Sequence, residues 1–327
     1  MTQPLVSVVI AAWNAAAYLP ETLSSVLAQT YTNIEIVVVD DGSTDETYLW
    51  ISSFLPQIRY EHRPHRGLAA ARNEGIRLAT GDYVALLDAD DLWHPEKIAT
   101  QVDVLSRHPD TGLVACDGVE FSGETILRST LFSESFNATL AATALGEVTK
   151  RFELDLIEGG FIACPSQVMI PRGVLETIGP FVDSGSQDLD YYLRVARKYP
   201  ITLQHQSHAR WRNRSDSMSG PEYGRKIRLA FYLLPVLVSH RRRCTPEYRI
   251  ALDERIHDTK VFLRQSLVVD GRRGGRARAS KEVLSHFNAR PRQPRALIYL
   301  VGVWAPASAH RFLSRVFRVM RKFNRTT

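Results

Sequence analysis

A chain of 327 residues with 44% hydrophobic and 23% charged residues has the size and composition of an ordinary globular protein that can bury a large core. Its longest apolar runs are shorter than the ~20 residues that cross a bilayer as a helix, which argues against a membrane-spanning protein. Three widely spaced cysteines without a CxxC pair predict free thiols, no zinc site and a reducing compartment, which we expect to be the cytoplasm.

The net charge of +6 hides a division of the chain. Residues 1–220 carry 17 basic and 28 acidic side chains, whereas residues 221–327 carry 24 and 7. We therefore expect two parts, an acidic domain over residues 1–220 and a basic region over residues 221–327. The basic part predicts an anionic partner or surface.

The chain begins with a βαβ pattern. The apolar run Val6–Trp13 follows no basic segment and precedes no small-residue cleavage site, so it predicts a strand and not a signal sequence. A helix with one apolar face follows, and Ile34–Val39 predicts a parallel second strand. The acidic turn after it either caps a helix from about Glu46 or lets Asp40 or Asp41 bind a base or ribose.

A basic segment comes next. After a short strand at Arg59–His62, the turn Arg63–Gly67 leads into an alanine-rich helix, Leu68–Ala79, that contains Arg72. Its cations could neutralise a phosphate, or they could form a solvated helix face.

The central motif is a buried strand that ends in carboxylates. The apolar run Val84–Leu87 predicts a strand covered on both faces, and Asp88, Asp90 and Asp91 follow it. Ligands of open α/β sheets bind beyond the carboxyl ends of strands. Carboxylates this close repel each other, so they indicate a hard divalent cation, Mg²⁺ or Mn²⁺. The alternative is an acidic turn that caps a helix beginning near Pro95.

The remaining pattern extends this domain. A helix to about Arg107 and a strand at Leu113–Cys116 favour a doubly wound sheet. Residues 118–157 are irregular and predict loops and helices that shape an acceptor pocket. A strand-like stretch at 161–170 and a helix start at 171–178 follow.

A helix is predicted to begin near Asp188. That side chain suits a helix cap or a catalytic role, while Asp190 suits a pair with Arg194 one turn on. The polar stretch 211–219 then suits either a mobile loop over a diphosphate or a solvated linker.

The basic region predicts helices over residues 225–270 and an amphipathic end over residues 296–323. Apolar side chains on one side and cations on the other are typical of a helix that lies on an anionic membrane. Packing on the catalytic domain and a nucleic-acid-binding tail are the alternatives. The acidic first part argues against nucleic acid as a partner.

Several short motifs, in this order and at this spacing, resemble family 2 glycosyltransferases. The resemblance covers roughly residues 4–220, and its motifs are Val6–Ile10 with Asn14, Val39–Asp45, Gly67 with Ala71–Asn73, Gly81–Tyr83, Asp88–Asp91 and Gln187–Asp188. It implies the GT-A fold, a Rossmann-like, mostly parallel α/β sheet flanked by helices. The basic, mainly helical C-terminal region lies outside it.

The resemblance also implies roles on the donor side. Asp41 corresponds to the carboxylate that holds the nucleotide base, with Trp13 beside it, and Arg72 to a residue near the nucleotide. Asp88 and Asp90 correspond to the DXD pair that binds Mn²⁺ or Mg²⁺ with the ribose and diphosphate.

On the acceptor side, Asp188 corresponds to the catalytic base, but Gln187 replaces the usual preceding Glu. Arg212 matches an arginine of the late loop that contacts the nucleotide sugar. Arg214 stands where a His is frequent, and Ala11 replaces a more usual polar residue or proline.

The function expected from this resemblance is transfer of a sugar from a nucleotide sugar, UDP first, to an acceptor hydroxyl with inversion. The acceptor would be a glycan or lipid-linked molecule of cell-surface polysaccharide or glycolipid synthesis, reached at the inner face of the cytoplasmic membrane. A sugar nucleotidyltransferase is less consistent, because the N-terminus has no glycine-rich phosphate loop. A nucleotide-sugar-binding protein without turnover is the non-enzymatic alternative, which Gln187 favours.

Overall fold

The computed structural model describes residues 3–55, 57–159, 162–184, 186–214 and 233–272. A sheet of ten strands dominates it. The strands are β1 (Val6–Ala12), β2 (Ile34–Asp40), β3 (Arg59–His62), β4 (Tyr83–Asp88), β5 (Leu92–Trp93), β6 (Leu113–Ser122), β7 (Thr125–Arg128), β8 (Glu147–Lys150), β9 (Val168–Pro171) and β10 (Ile201–Arg212). The helices are α1 (Leu19–Leu27), α2 (Thr47–Ser52), α3 (Leu68–Leu78), α4 (Lys97–Arg107), α5 (Glu134–Ala141), α6 (Glu153–Glu158), α7 (Arg172–Ile178), α8 (Gln187–Lys198), α9 (Leu234–Arg241) and α10 (Pro246–Arg272).

The strand order is β3-β2-β1-β4-β9-β6-β10-β5, with β7 on β6 and β8 on β10. Neighbours among β3, β2, β1 and β4 are parallel, as are β6 and β10, while β9 runs antiparallel between β4 and β6. The carboxyl ends of β1, β2 and β4 therefore meet at one edge, which is where α/β sheets bind ligands. The predicted α/β class with helices beside the sheet is confirmed.

Helices cover both faces of the first strands. On one face, Val8 and Ile10 belong to a core cluster with Leu19, Leu23 and Val26, which recur at the spacing of one apolar stripe on α1. On the other face, α3 approaches β1 closely, because a Cβ at Gly75 would lie 2.3 Å from Val9 Cγ1. Burial on both faces explains why these strands are continuous apolar runs.

The middle of the chain is more ordered than its sequence indicates. The strand expected at Leu113–Cys116 continues to Ser122 and turns back through β7. Of the strand-like stretch at 161–170, residue 161 lies outside the described residues, and Pro165–Gln167 form a short 3-10 turn before β9. The Gln167 side chain fixes that turn, since its Oε1 accepts from the backbone of Ala163 and its Nε2 donates to the carbonyl of Cys116.

By its contacts, the chain divides into two compact units, Met1–Ser217 and Met218–Thr327. In the second unit, α9 packs against α10 and Arg241 pairs with Asp253. Within the described residues, the helical pattern expected over 225–270 is present as α9 and α10. Residues 225–232 of that pattern, residues 215–219 of the polar stretch and the predicted amphipathic end at 296–323 lie outside the described residues. Among the helices that the structure describes, none is long and apolar enough to cross a membrane. All three cysteines are free and buried.

Lys97, at the start of α4, is a fully buried cation. Its Nζ lies 3.7 Å from the centre of the Trp93 ring and 3.4 Å from the carbonyl oxygen of Val168. Burial lowers the pKa of Lys97 to about 7. The folded protein therefore holds this amine uncharged above neutral pH, whereas the unfolded chain keeps it protonated up to about pH 10.4.

This difference predicts a pH dependence of stability. Above pH 7 the unfolded chain binds a proton that the folded protein lacks, so the free energy of unfolding should rise with pH by up to about 1.4 kcal/mol per unit. Urea unfolding at pH 7, 8 and 9 measures the slope. Lys97→Met should flatten it, while Lys198→Met, at the exposed end of α8, should not. An unchanged slope in Lys97→Met would contradict the assignment.

Candidate active site

Arg72 connects two carboxylates that lie far apart in the chain. It is buried on α3, where its Nη1 donates to Asp188 Oδ1 at 2.5 Å and its Nη2 donates to Asp88 Oδ1 at 3.1 Å. Asp88 ends β4 and Asp188 is the second residue of α8. One guanidinium thus brings together the predicted metal ligand and the predicted catalytic base.

Burial and neighbouring charges shift the pKa values of Asp88 and Arg72. Burial of the Asp88 carboxylate raises its pKa to about 6, and the negative charges of Asp188 and Asp90 contribute to the same shift. The Arg72 cation opposes it. Burial disfavours the charge of Arg72, but Asp188 and Asp88 outweigh that effect and raise its pKa. A cation bound beside Asp88 would favour the charged form of this carboxylate.

Asp91 fixes the turn that carries these acids. It is fully buried, and burial together with Asp90 and Asp88 raises its pKa well above the usual value. Its oxygens accept from Ser166 Oγ at 2.5 Å and from the backbone N–H of Arg212 at 2.8 Å. The same Ser166 oxygen accepts from the backbone N–H of Asp88 at 3.1 Å. Asp91 thus connects the end of β4 to the turn before β9 and to the end of β10. It does not cap α4, because the residue that precedes that helix is Glu96.

Arg212, the last residue of β10, and Arg214, two residues later, both contact Asp90 of the carboxylate turn. Arg214 lies 3.1 Å from Asp90, and Arg212 donates from Nε to the carbonyl of Asp90 at 2.7 Å. Arg212 also pairs with Glu21 on α1 at 2.6 Å, and both guanidiniums lie against the Tyr18 ring. The structure therefore brings Arg212 to the carboxylate turn, as the predicted site requires.

The predicted base-binding residues lie at the neighbouring strand end. Buried Asp41 accepts from the backbone N–H groups of Arg66 and Gly67 at 3.0 and 2.7 Å, and its Oδ2 lies 2.8 Å from His65 Nδ1. Gly67 has a φ of 93°, which favours glycine at this position. Trp13 is 55% exposed and stacks on the His65 ring at 4.9 Å. Asp41 thus fixes the backbone of the basic turn, and Trp13 packs on His65 of the same turn.

A cavity of about 340 Å³ opens at the ends of β2 and β3. Asp40 lies at its buried side, where Oδ1 accepts from the backbone N–H of Ser43 at 2.9 Å and Oδ2 accepts from the Tyr60 hydroxyl at 3.0 Å. The lining residues are Asp40, Ser43, Asp45, Tyr48, Tyr60 and His62. The acidic turn therefore both orders its own backbone and borders an open cavity.

Asp88 and Asp90 fit a hard divalent cation. Their side chains are 28% and 20% exposed, so part of each carboxylate group is accessible to solvent. Burial is the main reason that the pKa of Asp88 is raised, and the carboxylates of Asp188 and Asp90 add to it. Mg²⁺ and similar ions are commonly held by one or two carboxylates, with waters and substrate phosphates completing the shell. Two carboxylates are enough for such a site.

Some residues of the site were not predicted from the sequence. Ser166 gives no local signal, because its two partners at Asp88 and Asp91 lie more than 70 residues earlier. The Phe181 ring centre lies 5.1 Å from the Arg72 guanidinium carbon. The Phe181 backbone makes two hydrogen bonds of 2.8 Å with the Asn73 side-chain amide, which donates to the Phe181 carbonyl and accepts from its N–H. The Gly179-Pro180 turn marks this segment in the sequence without indicating what it contacts.

Comparison with known proteins agrees with this geometry. The model of glycosyl transferase family 2 matches residues 7–179. An uncharacterized glycosyltransferase of Rickettsia felis is 35% identical over 202 residues, which are 61% of this chain and 32% of that protein. The Escherichia coli UDP-Glc:alpha-D-GlcNAc-diphosphoundecaprenol beta-1,3-glucosyltransferase WfaP is 42% identical over 100 residues, 30% of this chain and 40% of the enzyme. This chain thus spans well under half the length of these curated relatives.

Among solved structures, the mannosyltransferase PcManGT of Pyrobaculum calidifontis, in complex with GDP-Man and Mn²⁺, superposes with a TM-score of 0.58 at 21% identity. The match covers 93% of this chain and 86% of that one. At this identity the likeness shows the fold alone, and it confirms the expected GT-A architecture. More than half of the chain matches the family model, and the chain therefore belongs to glycosyl transferase family 2.

Proposed function

We propose that this protein is a metal-dependent, inverting glycosyltransferase that moves a sugar from a nucleotide sugar to an acceptor hydroxyl in cell-surface polysaccharide or glycolipid synthesis. The observation that carries the proposal is the pairing of Arg72 with both Asp88 and Asp188. It joins a carboxylate suited to a diphosphate-bound cation and a carboxylate suited to an acceptor proton within one cluster. Such adjacency is what direct transfer between donor and acceptor requires.

The named relatives support the choice of donor. The name of the E. coli relative specifies UDP-Glc and a lipid diphosphate acceptor, and the Pyrobaculum mannosyltransferase is bound to GDP-Man with Mn²⁺. We infer a UDP-sugar as the first donor to test and a GDP-sugar as the second. The base would lie near Trp13 and Asp41, and the diphosphate near Arg72, Arg212 and the carboxylate turn.

The chemistry assigned to the residues is a single displacement. The acceptor oxygen gives its proton to a carboxylate oxygen of Asp188 and forms a bond to the anomeric carbon, while the bond from that carbon to the diphosphate oxygen breaks. Asp188 is 34% exposed, so an acceptor hydroxyl can reach it. A divalent cation on Asp88 and Asp90 would neutralise the negative charge that builds on the leaving diphosphate.

Arg72 has two tasks in this scheme. Without substrate it neutralises Asp188 and Asp88, which keeps two acidic groups stable in one buried cluster. With donor bound, its guanidinium is placed to share its charge with the diphosphate, so that Asp188 loses part of its partner and becomes a better base. In this scheme, donor binding would make Asp188 a stronger base.

A nucleotide-sugar-binding protein without turnover is the second candidate, and Gln187 favours it. This side chain is buried at the start of α8. Its Oε1 has no hydrogen-bond partner among the residues that the structure describes. A neutral amide here cannot contribute the charge of the family's usual Glu.

One experiment distinguishes the two candidates. Purified protein is mixed with UDP-, dTDP- or GDP-sugars, with and without Mn²⁺, in the presence of a membrane lipid extract, and nucleotide release is followed. Metal-dependent release with one donor supports the transferase, and NMR of the product should show an inverted anomer. Metal-dependent donor binding without release would favour the binding protein. A retained anomer would contradict the single displacement.

We further propose that residues 296–327 hold the protein at the inner face of the cytoplasmic membrane. The proposal rests on the sequence, in which Phe312, Val316 and Val319 recur at helical spacing among many arginines. The full chain should sediment with vesicles of phosphatidylglycerol and phosphatidylcholine, and a chain ending at residue 295 should not. Vesicles of phosphatidylcholine alone are the control for charge. Equal sedimentation of both chains would contradict the proposal.

A further inference from the structure

Two histidines and a glutamate meet outside the site described above. Strand β5 pairs antiparallel with β10, with Trp93 opposite Ala209, so the next residues, His94 and His208, lie side by side. The backbone N–H of His94 donates to the carbonyl of His208 at 2.9 Å. Their rings stack with centres 5.0 Å apart and planes 11° from parallel. This arrangement places two imidazoles at one point of the surface.

Glu96 completes the cluster. One ring nitrogen of each histidine and one carboxylate oxygen of Glu96 all lie within 4.8 Å of one another. Among the residues that the structure describes, this is the one group of three or more His, Cys, Asp and Glu side chains close enough to hold a metal ion. The cluster is therefore distinct from the Asp88 and Asp90 pair.

The buried histidine is oriented by a second residue. His208 is only 7% exposed, and its Nδ1 lies 3.1 Å from Thr100 Oγ1. Thr100 donates its own proton to the carbonyl of Lys97 at 3.1 Å, so it accepts from the Nδ1–H of His208. This tautomer leaves the lone pair on Nε2. A metal-binding histidine is commonly fixed in this way by a hydrogen bond at its other nitrogen.

The other two ligands are more exposed than His208, and they are already in contact: His94 Nδ1 lies 3.9 Å from Glu96 Oε2 and accepts from the Glu96 backbone N–H at 3.4 Å. The side chains of His94 and Glu96 are 52% and 61% exposed. The ligand atoms of a tetrahedral zinc site lie about 3.3 Å apart. The His94 and Glu96 ligand atoms would therefore need to move by about 1–2 Å, which a small side-chain rotation provides. The fixed His208 and the two adjustable partners together supply three ligands and leave the fourth position open to water.

We propose that His94, Glu96 and His208 bind a transition-metal ion, with Zn²⁺ as the ion that this donor set favours. Two imidazoles and one carboxylate suit zinc, whereas Mg²⁺ prefers oxygen alone. The wide spacing of the cysteines argues only against a zinc site with thiolate ligands, and the site proposed here has no cysteine ligand. Because β5 follows the carboxylate turn and β10 carries Arg212 at its end, the bound ion would tie together the two strands that flank the turn.

The test uses the full chain without an affinity tag, stripped of metal and kept in excess Mg²⁺ to compete for carboxylate sites such as the proposed one at Asp88 and Asp90. Titration calorimetry with Zn²⁺ should show one site, and Co²⁺ should give the visible absorption of a tetrahedral complex with nitrogen ligands. His94→Gln should abolish both signals, and this exposed residue can change without loss of folding. Thr100→Val, which removes the orienting hydroxyl, should weaken Zn²⁺ binding about 10- to 100-fold.

Matched controls separate this site from others. His257→Gln, an exposed change on α10, should bind Zn²⁺ as the wild type does. Asp88→Asn should also leave Zn²⁺ binding unchanged. Wild-type affinity in His94→Gln, or no Zn²⁺ binding by the wild type, would overturn the proposal. None of these readouts depends on sugar transfer, so failure here and failure of the proposed function are distinguishable.

Discussion

Replacement of Asp188 by asparagine is expected to lower the rate of sugar transfer about 10²- to 10⁴-fold, while donor affinity changes little. Asparagine keeps the size of the side chain and one oxygen, but its amide cannot take a proton from an acceptor hydroxyl. Because the role proposed for Asp188 is to take a proton from the acceptor during transfer, the loss should fall on kcat. Nucleotide release and equilibrium binding of the donor measure the two effects separately.

The matched control for this change lies on the same helix. Asp190 pairs with Arg194 one turn later at 3.0 Å, which the sequence predicts as one of its alternatives. Asp190→Asn removes the same charge two residues away from the proposed base. It should keep nearly full activity with a small decrease in Tm. Equal loss of activity in both variants would indicate a general electrostatic effect, and full activity in Asp188→Asn would remove Asp188 from the mechanism.

Replacement of Arg72 by methionine is expected to lower the free energy of unfolding by about 3 kcal/mol in the presence of EDTA. The change removes a buried cation and leaves Asp88 and Asp188 facing each other without a partner. We take the low end of the usual range because both carboxylates are about one-third exposed and water can still solvate them. Urea unfolding at pH 7 is the measurement.

The effect of Arg72→Met should depend on pH in a definite direction. The pKa of Asp88 is already raised to about 6 in the wild type, above the value near 3.9 of an unfolded chain. Loss of the Arg72 cation raises it further. A raised carboxylate pKa contributes stability below the unfolded value and loses it as pH rises. The deficit of the variant should therefore shrink as the pH falls from 7 to 5.

A second arginine on the same helix provides the control. Arg77 is 66% exposed and pairs with Glu74 at 2.6 Å, and an exposed pair of this kind contributes little to stability because water and salt screen it. Arg77→Met should thus cost little and should show no matching pH dependence. The double variant with Asp188→Asn should recover part of the stability lost in Arg72→Met. If both arginine variants lose the same stability, the cluster is not the cause.

The sequence alone determines the local elements of this protein. The apolar runs of β1, β2 and β4, the acidic turns that follow them and the helix that begins at Gln187 are all visible as patterns. Burial on both faces forces such strands to be apolar throughout, and polar residues can return only where a strand leaves the sheet. The order of these motifs indicates the family, while the roles of individual residues stay predictions.

The tertiary structure decided which of those residues meet. Arg72 and Asp188 are 116 positions apart, and no local pattern records that a helix and a later helix bring them together. The antiparallel strand β9, the role of Ser166 beneath Asp91 and the stacked histidines at β5 and β10 are equally absent from the local pattern. Hydrophobic periodicity specifies which face of an element is buried, whereas partners across the sheet depend on strand order and register, which only the assembled chain fixes.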